Sequence, residues 1–109
     1  MTYSERLEHR WGERVRVNIP VRASTRASEE VAGCLKNLSL SGALVQTDCE
    51  FGLHTLIAVR IDLSPPESRA ALLNAYVSRE LNGGVGIEWC EFAPNIVKDL
   101  IRAESNRRL

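Results

Sequence analysis

Ala70-Ala71-Leu72-Leu73-Asn74-Ala75-Tyr76-Val77-Ser78-Arg79-Glu80-Leu81-Asn82-Gly83-Gly84 is the stretch whose reading decides the fold. Its alanines and leucines favour a helix. Tyr76 and Val77 favour a strand, and Asn82-Gly83-Gly84 is a strong hairpin signal. We read Ala70 to Leu81 as a strand. Downstream, Val85 to Phe92 then becomes its hairpin partner. Pro94 and Asn95 open a helix over 94–107, in which Ile96, Val97, Leu100 and Ile101 form one apolar stripe.

Working back from Ala70, Ser64-Pro65-Pro66-Glu67 breaks a strand read over Leu53 to Leu63. Asp48 to Gly52 is a turn, and Ala43 to Thr47 and Val31 to Leu40 are two further strands. Ser24 to Glu30 is a polar connection. Ahead of it Val15, Val17, Ile19, Val21 and Ala23 alternate with Arg16, Asn18, Pro20 and Arg22, the period of a half-buried antiparallel strand. Pro20 lacks an N–H and is expected at an edge or bulge. Met1 to His9 reads as a short helix, with Thr2 and Glu5 as a capping box and Tyr3 and Leu7 on one face. Gly12 breaks it, leaving Arg10-Trp11-Gly12-Glu13-Arg14 as an arm. The expected architecture is all-β dominated: a six-stranded antiparallel β-barrel with a C-terminal amphipathic helix. It is one domain, with the arm at 1–14, the barrel at 15–92 and the helix at 94–107. The chain ends soon after that helix, so no attached effector domain is expected.

At 109 residues with 44% hydrophobic and 26% charged side chains, the chain can bury a core without staples. The formal net charge is zero, which argues against long nucleic acid as a partner. Charge is unevenly spread: up to Arg26 there are six arginines against three glutamates. Arginine outnumbers lysine twelve to two, which suits bidentate recognition of phosphate or guanine, although a GC-rich genome gives the same bias. No apolar run is long enough to span a membrane and no signal peptide is evident, so a cytoplasmic location is expected. Cys34, Cys49 and Cys90 lack a CxxC and read as reduced thiols, with Cys34 and Cys90 expected in the core.

Two constellations stand out. Arg10 and Arg14, four apart, place two guanidinium forks where one anion or guanine edge can meet both. In Asn37-Leu38-Ser39-Leu40-Ser41-Gly42 the polar residues alternate with leucines, so an extended chain puts Asn37, Ser39 and Ser41 on one face. Gly42 is suited to a positive φ or to close approach of a ligand. A polar β-turn is the alternative reading of this stretch.

Together, Arg10-x-x-x-Arg14 before a first strand and Asn37-x-Ser39-x-x-Gly42 after it resemble the PilZ domain family. Arg14 to Val21 is similar to its first strand, and Gly83-Gly84-Val85-Gly86-Ile87-Glu88-Trp89 to its closing strand. The resemblance implies a cyclic di-GMP site in which Arg10 and Arg14 grip guanine edges and phosphates. It further implies that Asn37 and Ser39 hydrogen-bond the ligand and that Gly42 lets the chain turn away beneath it. His9 stands where many relatives have a basic residue, leaving one ligand or a stacked pair open. Arg79 is a further candidate contact. Trp11 and Trp89 are expected to be packed rather than stacked on a purine. The implied function is a receptor that passes the signal to an effector protein through ordering of its N-terminal arm. The alternative is a ligand-independent interaction adaptor, and an oligonucleotide-binding barrel is a third reading that the zero net charge disfavours. No catalytic residue is expected, because His9 and His54 sit in no nucleophile motif; no cofactor and no metal are expected, because the cysteines and histidines have no ligand spacing.

Overall fold

The computed structural model describes residues 13–63 and 68–107. The expected helix over 1–9, His9, Arg10, Trp11 and the break over 64–67 lie outside these residues. Among the described residues six strands, β1 (Val15–Ser24), β2 (Val31–Leu38), β3 (Gly42–Gln46), β4 (Leu56–Asp62), β5 (Ala70–Leu81) and β6 (Gly84–Trp89), precede one helix, α1 (Asn95–Arg107). They close into a barrel in the order β1-β2-β3-β6-β5-β4, every pairing antiparallel.

The ambiguous stretch is a strand over its whole expected length. Leu73, Ala75 and Val77 point inward and are buried, while Leu72 and Asn74, which flank Leu73, are exposed. That period of two gives β5 one apolar face for the barrel interior, which outweighs the helix preference of its alanines and leucines. Gly83 takes a φ of 82° in the turn to β6, the left-handed conformation glycine adopts without a Cβ penalty. Leu35, Leu38, Val45, Val59, Val77, Ile87 and Val97 are all buried in one core. Val97 comes from α1, and Ile96, Leu100 and Ile101 pack around it, so the expected stripe seats the helix on the barrel.

The barrel closes weakly between β1 and β4, through Arg22↔Arg60, Ala23↔Val59 and Ser24↔Ala58 only. Val15 to Val21 therefore pairs with β2 alone, and Pro20 occupies that unpaired edge, where its missing N–H costs no ladder bond. Three strand ends differ from expectation by two residues or more. β2 stops at Leu38 because the Ser39 side chain competes for backbone groups, as described below. β4 begins at Leu56, after a turn in which His54 takes a φ of 66° and the Thr55 N–H bonds to Gly52 O at 3.2 Å. β6 stops at Trp89, and Ala93, with a φ of 41°, turns the chain into α1. Cys34 is half-buried and Cys90 exposed, so neither is a core residue: Cys34 faces outward opposite Pro20, and Cys90 lies past the end of β6.

Candidate functional site

The first motif meets the second directly. Arg14, exposed just before β1, donates from its guanidinium to Asn37 Oδ1 at 2.7 Å across 23 residues of sequence. Asn37 sits at an irregularity in β2, where the pairing shifts relative to both β1 and β3. Against β3 the extra residue is Lys36, and against β1 the extra residue lies in β1, between Arg16 and Ile19. The Lys36 ammonium bonds to Asn18 Oδ1 at 2.9 Å, and the Cys34 thiol donates to the same oxygen at 3.1 Å. A bulge of this kind re-aims side chains. Here it brings Lys36 and Asn37 to the outer wall beside Arg14 and Arg16. Arg14 bonds the Asn37 amide, Arg16 is the cross-strand partner of Asn37 and Lys36 its neighbour in β2, a setting that favours an anionic ligand with hydrogen-bonding edges. Lys36 went unnoticed in the sequence because no periodicity reports a bulge.

The turn after β2 is held from several sides. The Ser39 N–H donates to Gly42 O at 2.8 Å, and the Gly42 N–H donates back to Ser39 Oγ at 3.1 Å. Ser39 Oγ and Ser41 Oγ lie 3.1 Å apart. Trp89 then clamps the loop: its backbone N–H donates to Ser41 O at 2.9 Å and its indole Nε1 to Ser39 O at 3.2 Å. Ser39 is fully buried, so it does not share an exposed face with Asn37. A short side chain that bonds its own turn ends the strand before it can continue to Leu40. Leu38 is in the core as expected, while Leu40 is only half-buried. Trp89 is packed, and it also fixes the site's turn.

Gly42 is required for a reason other than a positive φ. It lies within β3, opposite Glu88. A Cβ there would stand 2.0 Å from Ile87 O, a close approach of two backbones. Glu88 is engaged by the Tyr76 hydroxyl, and this hydrogen bond is the main cause that raises the phenol pKa above its ordinary value.

Arg79 belongs to the same face. Asn37 pairs with Leu44, Leu44 with Gly86, and Gly86 with Arg79. This is one cross-strand row on the outer wall, roughly 14 Å long at ~4.8 Å per strand spacing. Between the polar ends lie half-buried Leu44 and the side-chain-free Gly86. The Arg79 guanidinium folds over Gly86, with Nε 3.3 Å from where a Cβ would stand. Thus Arg14, Asn37 and Arg79 share one wall, Ser39 and Gly42 lie in the turn beneath it, and Arg10 and His9 fall outside the described residues. Among the described residues no group of His, Cys, Asp or Glu is placed to hold a metal, and no helix is long and apolar enough to cross a membrane.

Known proteins share this architecture. The structure is similar to that of the PilZ domain of CeSA from a cellulose-synthesising bacterium, at 23% identity and a TM-score of 0.64, over 90% of this chain and 100% of that one. It is similar to the Bacillus subtilis inhibitor of motility (MotI/DgrA) at 21% identity and a TM-score of 0.65, covering 87% of this chain but only 49% of that one. A Legionella uncharacterized protein matches at 14% identity and a TM-score of 0.58, over 89% of this chain and 99% of that one. At these identities the likeness concerns the fold alone. No curated protein matches the sequence. A sequence model described as PilZ domain matches residues 5–104. PilZ domains are regulatory binding domains, generally non-enzymatic, whose known role is cyclic di-GMP binding and signalling. With nearly the whole length matched and the barrel in place, the chain belongs to the PilZ domain family.

Proposed function

We propose that the protein is a receptor for cyclic di-GMP that passes the signal to an effector protein. The observation that carries this reading is the 2.7 Å bond from Arg14 to Asn37, which joins the two motifs at one point of the outer wall. Arg14 offers a fork to a guanine edge or a phosphate, and Asn37 has its amide N–H groups left to donate. Arg10, four residues upstream, supplies the second fork. Ser39 and Gly42 contribute by shaping the turn that presents Asn37, since the Ser39 hydroxyl is buried and engaged. Arg79 closes the far end of the row, with half-buried Leu44 between it and Asn37 as an apolar floor for a base. His9 is a further contact beside Arg10. The signal is carried by the N-terminal arm: a dianion gripped by Arg10 and Arg14 together fixes the arm against the barrel, and its interactions offset the lost chain entropy.

The alternative is a ligand-independent adaptor, for which Leu56, Leu72 and Phe92 are exposed apolar side chains that a partner could cover. Calorimetric titration with cyclic di-GMP, with GTP and the linear dinucleotide as controls, decides between them. Saturable binding selective for the cyclic ligand supports the receptor. A flat titration at tens of micromolar supports the adaptor. Ordering of the arm is read by hydrogen exchange, as added protection near residues 8–14 with ligand.

A further inference from the structure

A cleft of about 330 Å³ lies between the start of β1 and the helix, lined by Glu13, Val15, Leu40, Lys98, Ile101, Arg102 and Ser105. Its floor is apolar and half-buried: Val15, Leu40 and Ile101. On α1 the residues at 98, 101, 102 and 105 fall on one helical face, so Lys98, Arg102 and Ser105 stand along one rim. Lys98 has no acidic partner among the described residues, and Arg102 has only Asp99, at 3.9 Å with both side chains largely exposed. Among the described lining residues, these two cations stand against the single carboxylate of Glu13, a charge of +1. None of those residues is aromatic, so they offer no ring for a base to stack on, and the volume is at the low end for small-molecule sites. The arrangement fits one or two apolar side chains with carboxylates beside them.

We propose that this cleft is the docking site for a partner protein, which inserts an amphipathic segment bearing apolar residues flanked by glutamate or aspartate. Its position gives the dock a means of regulation, a part of the proposal that rests on the receptor reading. Val15 follows Arg14 directly, and Leu40 lies inside the turn that presents Asn37. Two walls of the cleft are therefore continuous with the two halves of the ligand site. A ligand that pulls Arg14 and Asn37 into a new arrangement also changes the width between β1, the turn and α1.

The probes are two blocked helical peptides of equal length, each with two leucines four residues apart, flanked by glutamates in one and by lysines in the other. They are titrated into the full chain and read by backbone amide shifts. The glutamate peptide should shift Val15, Leu40, Ile101 and Ser105 and bind at least about fivefold more tightly than the lysine peptide. Lys98→Glu combined with Arg102→Glu should reverse the preference. Both positions are exposed, and an unchanged melting temperature confirms folding; Lys98→Glu alone should give a partial effect. Equal binding of the two peptides, no binding, or shifts centred on Leu56 and Leu72 would overturn the proposal. So would binding of the glutamate peptide only after removal of residues 1–8, which would make the chain's own N-terminus the occupant. Adding cyclic di-GMP to the same sample separates the two readings: if it does not bind, the receptor fails while the dock stands.

Discussion

Gly42→Ala isolates the reason for a glycine at the end of the second motif. A Cβ at this position would lie 2.0 Å from Ile87 O, 3.0 Å from Ile87 C and 3.2 Å from Glu88 Cα, all backbone atoms of β6. No rotamer change relieves such a contact, so β3 and β6 must move apart by about 1 Å or more. The pairs at risk are Gly42↔Glu88 and Ala43↔Ile87. Losing one or two ladder bonds costs roughly 0.5–1.5 kcal/mol each, and overpacking adds roughly 1–3 kcal/mol. The sum is about 1.5–6 kcal/mol, a large share of a typical domain stability of roughly 5–15 kcal/mol. Urea unfolding followed by circular dichroism reads the loss directly, and the melting temperature should fall by at least about 6 °C. Gly52→Ala is the control, because its Cβ would meet only Thr55 Oγ1 at an ordinary 3.6 Å. A Gly42→Ala protein as stable as wild type but unable to bind cyclic di-GMP would refute the packing argument and restore ligand approach as the reason for the glycine.

Arg14→Ala should lower cyclic di-GMP affinity at least about tenfold by calorimetry, since a charge-assisted bond contributes roughly 1.5–3 kcal/mol. Its melting temperature should stay close to wild type, because the side chain is exposed. Trp89→Phe keeps a ring in the core but removes the indole donor to Ser39 O, so it should cost about 1–2 kcal/mol in urea unfolding and weaken ligand binding as the turn loosens. The Tyr76 phenol, raised by its bond to Glu88, should titrate above the usual pH 10 in the folded protein, as phenolate absorbance lost in Tyr76→Phe would show. Because the folded value is the higher one, the bond's stabilisation is complete below about pH 10 and fades as pH rises through the folded value.

Much of the barrel was legible because each strand buries one face. The alternation of Val15 to Ala23 and of Leu73 to Val77 is that burial written in sequence, and Asn82-Gly83-Gly84 marked the turn between β5 and β6. The apolar stripe of α1 was legible for the same reason. What periodicity does not encode is where a ladder slips. Lys36 is an extra residue in β2, and nothing in its neighbours announces that it joins Arg14 and Asn37 on the outer wall. Ser39 read as an exposed hydroxyl because an extended chain was assumed. Its own bond to the Gly42 N–H ended the strand and turned it inward. Cys34 followed an apolar neighbour into the expected core but lies on the outward side, bonded to Asn18. Arg79 was found as a candidate, yet its link to Asn37 through Leu44 and Gly86 depends on register across four strands, which only the folded barrel defines.

In the receptor reading, one outer wall, from Arg14 through Asn37, Leu44 and Gly86 to Arg79, receives the ligand. Backbone amide shifts recorded during titration with cyclic di-GMP test it most directly. Saturable shifts are expected at Arg14, Arg16, Asn37, Leu44, Gly86 and Arg79, with Ala58 on β4 and Leu72 near the start of β5 unmoved and the whole pattern weakening as salt is raised. Shifts centred on β4 and on Leu72 near the start of β5, or a spectrum unchanged by saturating ligand, would contradict it.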